Sequence, residues 1–315
     1  MAYVTGHSLA SENIMSFNYS TIGRYFFAGI LLLSFNSISQ VRELSQEVEQ
    51  LENRVDFKSY FDEYYDDLES ESATKVRCKG IVKRASQSRF IFVGDNHVND
   101  ESSLLAQQFI HQIKKKKRDQ KVTLVLESVR HEHQMHLNSF LEEKLSSAEL
   151  KRKIGFLENS GGWKWENVIR LLEFAKSTGT RVLAGESPPI NALNNRYKER
   201  DKFAAEVIAK DAIKNPQSKY VILYGTSHLL GKDHLPDQLQ KISSGTQSRI
   251  INFLGRKSQQ VLDQTSEKDI HCAGFSKNIF YMNKRPISQN LAEYRDFLSS
   301  VARKEVGPPT HQEVR

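Results

Sequence analysis

The chain is short of the residues that would give it a covalent or repetitive scaffold. Its 315 residues include 7 prolines and 16 glycines, too few for a collagen-like or low-complexity protein. Two cysteines, Cys78 and Cys272, cannot build a disulfide framework, and without C-x-x-C spacing they give neither a zinc ribbon nor thioredoxin-type chemistry. One bridge between them is open to the chain in an oxidising compartment; two unpaired small residues are the plainer expectation. No run reaches 18 apolar residues, so a permanent membrane-spanning helix is not expected. A G-x-S-x-G elbow, a P-loop, a dinucleotide fingerprint and a nucleic-acid-binding module are all missing, and no nucleic-acid partner is expected.

What is there is ordinary globular material with an uneven charge. Hydrophobic residues make up 38% and charged residues 26%, enough for a sizeable core. The length fits two domains, or one α/β domain with tails. The formal net charge of +7 divides sharply: residues 40–71 hold 11 acids against 3 bases, while residues 72–315 hold 26 acids against 41 bases. An acidic segment therefore precedes a basic body.

Arg24 stands before an apolar stretch from Tyr25 to Phe35, with small residues at Ser37 and Ser39. That order reads as a secretory signal peptide over residues 1–39, cleaved near Ser39, with an uncleaved anchor or a buried helix as the alternatives. The expectation is an exported protein, periplasmic or secreted, with at most peripheral membrane association. Residues 40–75 form an acidic helical segment and linker. Val41, Leu44, Val48, Leu51 and Val55 recur at steps of three and four, which places them on one helical stripe. The stripe suits either a homodimer through residues 41–65 or docking onto the basic body.

From residue 76 to 305, short apolar runs alternate with amphipathic stretches. The runs are Phe90–Val93, Val122–Leu126, Arg181–Ala184, Tyr220–Leu223, Arg249–Phe253 and Ile279–Tyr281; helices are predicted over 101–118, 163–177 and 196–214. Near-continuous apolar strands are buried on both faces. The fold class is therefore α/β: a layered α/β/α domain with a mostly parallel central sheet, preceded by an N-terminal helix and followed by a disordered tail over 306–315.

The residues just beyond each strand carry the chemistry. The first strand ends in Gly94-Asp95-Asn96-His97, the second in Glu127-Ser128, the third in Gly185-Glu186-Ser187 and the fourth in Gly225-Thr226-Ser227-His228. Ligands of open parallel sheets sit beyond the carboxyl ends of the strands, so these residues converge on one edge. Glycine there permits a tight turn or a close approach. Asp95, His97, Glu186 and His228 have the donor types to hold a divalent transition metal; a metal-free acid–base centre is the alternative. His131-Glu132-His133-Gln134-Met135-His136 lacks H-E-x-x-H spacing and is expected to be an exposed polar turn.

These segments, together with Arg200–Ala209 and the helix after Glu127, resemble the ChaN family of haem-binding uptake proteins in the Tiki superfamily, which also takes in erythromycin esterases and Tiki proteases. The resemblance runs over roughly residues 85–285. Asp95 stands where the family has glutamate, Glu127 matches the acid after the second strand, and His228 matches the histidine of a later G-x-x-H. Glu186 resembles the acid of the Tiki-type branches. No cysteine follows the apolar run, so lipid anchoring is not implied. The resemblance implies haem or iron as cofactor, a small-molecule pocket at the strand ends, and Asp95, His97, Glu127 and His228 as its binding residues. The alternative it implies is a hydrolase using His97, Glu127, Glu186 and His228, and whether the chain is an enzyme stays open between the two.

Overall fold

The computed structural model describes residues 39–53, 68, 72–97, 100–156, 163–189, 196–252, 271–283 and 285–305. Residues 1–38 of the expected signal peptide, residues 54–67 and 69–71 of the acidic segment, including Val55, and residues 306–315 lie outside these residues. Helix α1 (39–52) is followed by β1 (Thr74–Lys75), α2 (Cys78–Ala85), β2 (Phe90–Asp95), α3 (Glu101–Lys116), β3 (Val122–Arg130), α4 (Gln134–Leu141) and α5 (Ser147–Lys153). Then come α6 (Trp165–Ser177), β4 (Arg181–Glu186), α7 (Arg196–Lys214), β5 (Lys219–Gly225), α8 (Leu235–Ile242), β6 (Gln247–Ile251), β7 (Cys272–Gly274), β8 (Ile279–Met282) and α9 (Ile287–Glu305).

The strands form one sheet in the order β1-β7-β8-β6-β2-β5-β3-β4. The five pairings among β2, β3, β4, β5, β6 and β8 are parallel, and β7 runs antiparallel to β8 and β1. This is the mixed, mostly parallel α/β sheet that the apolar runs predict. β1 and β7, two and three residues long, are too short to show a period in sequence.

The apolar strands divide their side chains between two faces by the period of two. Ile91 and Val93 pack with Leu105, Phe109, Leu124 and Leu172 beneath α3 and α6. Phe90 and Phe92 pack with Val125, Ala204, Ile208 and Tyr220 beneath α7. Each fully buried Phe or Leu contributes about 1.5–3 kcal/mol relative to exposure, so the two-sided burial fixes the register as well as the layers.

A third apolar cluster lies at the β7–β8 end. Val41, Leu44 and Val48 of α1 are buried there with Tyr281, Leu291, Tyr294 and Leu298, and Arg295 of α9 reaches Glu47 at 3.2 Å. The described part of the N-terminal stripe thus faces the chain's own body. Cys78 and Cys272 are joined in a disulfide, where the sequence favours two unpaired residues; it ties the start of α2 to β7 across 194 residues of chain. In the chain-entropy model, closing a loop of that length stabilises the fold by about 5 kcal/mol.

Candidate functional site

The four strand ends meet at one edge of the sheet, and their polar residues fall into two linked groups. In the first, Asp95 at the end of β2 accepts hydrogen bonds from the His97 backbone N–H (3.0 Å), from Ser102 Oγ (2.5 Å) and from the Trp163 indole N–H (3.1 Å). Its Oδ2 lies 2.8 Å from His97 Nδ1. Asn252 donates to Ser102 at 2.9 Å and so fixes the serine. Burial alone would raise the Asp95 pKa; the facing His97 charge and the hydrogen bonds from His97 and Ser102 hold it below the usual carboxylate value. His97 has a left-handed backbone, with φ of 63°, a conformation costing a non-glycine residue about 1–3 kcal/mol. The two contacts to Asp95 and a tilted ring contact with Trp163, with centroids 4.1 Å apart, hold it there.

Asp95 can only accept at its ionised oxygens, so His97 Nδ1 carries the proton and, in the neutral ring, Nε2 carries the lone pair. Burial would lower the His97 pKa, but Asp95 and then Glu127 raise it above the ordinary histidine value. About a fifth of its side chain is exposed, so it is both basic and reachable.

The second group centres on Glu127. β3 loses its regular register after Leu126, and such irregularities re-aim side chains near functional sites. Glu127 accepts from the Gly225 N–H at 2.5 Å and from Arg200 Nη2 at 2.8 Å, with His228 Nε2 at 3.4 Å. Arg200 also grips Glu186 through two nitrogens, one of them at 2.9 Å. His228 Nδ1 lies 2.6 Å from Asp201, and the other oxygen of Asp201 lies 2.6 Å from His234 Nδ1. Burial opposes the charged forms of both Glu127 and His228. The attraction of His228 and Arg200 nevertheless holds Glu127 well below the carboxylate range, and Asp201 with Glu127 pushes His228 up to about 10.

The groups meet at Gly225. A Cβ there would stand 3.3 Å from Glu127 Oε2, 3.2 Å from the His228 ring and 3.4 Å from His97 Nε2, so glycine is needed for close approach, not for a special φ. At Gly94 a Cβ would lie 2.6 Å from Thr226 Oγ1. Asp95, His97, Glu127 and His228 are therefore brought together, with Glu186 joined through Arg200. Sequence reasoning missed Ser102, Trp163, Asn252, Asp201 and His234 as site residues, and Arg200 entered it only within a family-like segment. A charged Arg-Asp pair near a helix start was the available signal.

Three of the four residues expected to ligate a metal are engaged otherwise: Glu186 with Arg200, Asp95 with four donors, and His228 at both nitrogens; His97 is held through Nδ1 by Asp95. Among the described residues no group of three or more His, Cys, Asp or Glu has metal-site geometry. Beside His97 and Trp163 there is space of about 20 Å³, bounded by Asp95, Leu126, Leu171 and Leu223. That holds a water-sized guest and does not fit a porphyrin.

Fold and site together define a mixed α/β protein with a buried polar cluster at the strand ends of a mostly parallel sheet. Residues 81–192 match the family described as haem-binding uptake, Tiki superfamily, ChaN, which bears out the resemblance read from the motifs and supports haem-binding uptake in general terms. Similar solved structures include one describing cofacial haem binding to ChaN of Campylobacter jejuni, at 13% identity and a TM-score of 0.46 over 60% of this chain and 90% of that one. The type III effector HopBA1 is similar at 12% identity and a TM-score of 0.45, over 65% of this chain and 92% of that one. The C-terminal region of Pasteurella multocida toxin, described with a thiol-protease-like triad, gives 14% identity and a TM-score of 0.39, over 69% of this chain and 30% of that one. No curated protein matches.

The raised His228 pKa makes a linkage prediction. A histidine held at about 10 in the folded state and about 6.5 when unfolded stabilises the fold fully below the lower value and loses that contribution as pH rises through the higher one. Denaturant unfolding should show stability declining between these limits, and His228→Gln should flatten the decline. An equally steep decline in the variant would contradict the assignment.

Proposed function

We propose that this chain is an exported haem-binding protein of the ChaN type. The observation that carries the reading is the family match over residues 81–192, a stretch containing Asp95, His97, Glu127 and Glu186. Export is supported by the charge-then-apolar order at Arg24–Phe35 and by the Cys78–Cys272 disulfide, a bond that persists in oxidising compartments. The basic body suits an anionic ligand such as a haem carrying two propionates. Haemin titration of the purified protein should give a saturable shift of the Soret band. A spectrum equal to that of free haemin at every ratio would contradict the proposal.

The strand-end cluster favours a second reading for itself, as a metal-free hydrolytic centre. The specific observation is the Asp95–His97 pair with a water-sized space at its side. In that reading His97 Nε2 takes a proton from water as the water attacks a carbonyl carbon, and Asp95 stabilises the resulting imidazolium. The imidazolium then returns the proton to the alkoxide or amine that leaves as the tetrahedral intermediate collapses and the C–O or C–N bond breaks. His228, with both nitrogens engaged by carboxylates, holds a fixed positive charge and orients Glu127. Arg200 and Glu186 position that carboxylate from the other side. A panel of small ester and amide substrates provides the test: turnover should fall by roughly 10²–10⁴-fold in His97→Ala. Unchanged turnover in that variant would exclude His97 as the base.

A further inference from the structure

The edge of the sheet where the parallel strands begin, opposite the strand-end cluster, is strongly basic. Helices that connect parallel strands run back against them, so the C-termini of α2, α3, α7 and α8 gather at this edge. Hydrogen bonds join its turns into one surface. Lys219 Nζ donates to the carbonyls of Ser86, Gln87 and Ser88 at 2.7, 2.9 and 3.1 Å. Gln120 donates to Gln217 O at 2.6 Å, and Arg89 donates to Ala212 O at 2.9 Å and to Ser244 O at 3.2 Å. The turns before β2, β3, β5 and β6 are thereby held together.

Lys83 and Arg84 close α2, Lys115 and Lys116 close α3, and Lys117, Arg118 and Lys121 lie in the turn that follows, with Lys214 at the end of α7. All eight are exposed. The acids at this level are Asp119, which is exposed, and Asp211, which Arg181 and the Tyr220 hydroxyl each hold at 2.8 Å. The helix dipole favours a cation in a last turn, but it does not account for eight on one face, where they repel one another. Burial, and then the neighbouring Lys116 charge, hold Lys219 below the ordinary lysine value.

Aliphatic side chains stand at the same edge. Three large hydrophobic residues are exposed among the described residues, and two of them, Ile213 at 78% and Ile242 at 49%, lie in the last turns of α7 and α8. Arg89 holds the carbonyl of Ala212, next to Ile213, and that of Ser244, two residues beyond Ile242. Helices α2 and α3 pack on one side of the sheet, α7 and α8 on the other. Cations and isoleucines therefore flank the strand starts from opposite sides, at one level rather than around a groove.

This combination separates a lipid surface from other polyanions. A nucleic-acid phosphate backbone attracts lysines but offers an isoleucine no apolar surface. An anionic bilayer attracts the lysines at its headgroups and also takes aliphatic side chains into the boundary with the acyl chains.

We propose that this edge docks the protein on an anionic lipid bilayer, with the lysines and arginines of α2 and α3 at the headgroups and Ile213 and Ile242 at the acyl boundary. The 16 residues of α3 separate the two edges by about 24 Å. Docked in this way, the strand-end cluster faces away from the lipid and stays open to solutes.

The test is sedimentation of the full chain with vesicles of phosphatidylcholine alone and with vesicles that also contain phosphatidylglycerol. The anionic vesicles should bind more tightly, and the difference should shrink as salt is raised. Lys83→Glu with Lys117→Glu should weaken binding to the anionic vesicles roughly tenfold or more. Lys202→Glu with Lys232→Glu makes the same charge change on exposed residues away from this edge and should bind as the parent does. Ile213→Ser with Ile242→Ser should weaken binding roughly threefold to tenfold. Equal affinity of the parent for the two vesicle compositions would overturn the proposal, as would equal losses in the two lysine pairs. A parent that binds a DNA duplex more tightly than the anionic vesicles, with the isoleucine pair binding those vesicles as the parent does, would overturn the lipid assignment in favour of nucleic acid.

Discussion

A carboxylate withdrawn from water must be met by enough positive charge and enough donors to offset its lost hydration, and Glu127 is the place where this constraint organises the molecule. It is 3% exposed. Its partners come from three parts of the chain beyond its own strand β3: the Gly225 N–H at the end of β5, Arg200 on α7 and His228 in the turn beyond β5. Each charged partner is itself committed, Arg200 to Glu186 and His228 to Asp201, and Asp201 also holds His234. Removing one member of such a buried set leaves the others charged and unpaired, which costs far more than a surface ion pair is worth. The helix α7, the turn after β5 and the end of β4 are thereby tied to one point.

That rigidity leaves one imidazole in a different condition. His228 has both nitrogens engaged and is held cationic, whereas His97 has its inner nitrogen fixed by Asp95 and its outer one facing the Glu127 side of Gly225. One histidine serves as fixed charge and the other as a group able to gain and lose a proton. Backbone strain at His97 falls at the residue whose position the chemistry requires, a usual place for strain to be held. The sheet edge shows the same economy at His131, whose Nδ1 lies 2.9 Å from Ala184 O on β4 and so carries the ring proton.

Much of this was legible in the sequence because burial on both sheet faces demands unbroken apolar runs. The first four runs became β2, β3, β4 and β5 with their cores intact, and Asp95, His97, Glu127, Glu186 and His228 stood out by their places just after them. Val41, Leu44 and Val48 announced a buried stripe, though not what would cover it. Asp201 and His234 were illegible because a charged residue that is fully buried looks, in one dimension, like any solvent-facing charge. Their depth depends on which helix face meets the sheet. Trp163, Ser102 and Asn252 reach the Asp95 site from three separate parts of the chain, and nothing local in sequence marks that convergence. The His131–His136 tract, expected to be an exposed polar turn, bonds β4 through His131 and Gln134; that β4 is the last strand among the described residues is known only once the strand order is.

The central claim is that Glu127 is the charged hub on which both the site and the fold edge depend. Chemical unfolding of Glu127→Gln at neutral pH, compared with the parent, tests it most directly, because the substitution removes the charge while nearly preserving shape. A loss of about 3–5 kcal/mol, accompanied by a downward move of the His228 titration seen by NMR, is the expected result. Stability within about 0.5 kcal/mol of the parent, the range of ordinary surface substitutions, with an unmoved His228 titration, would contradict it.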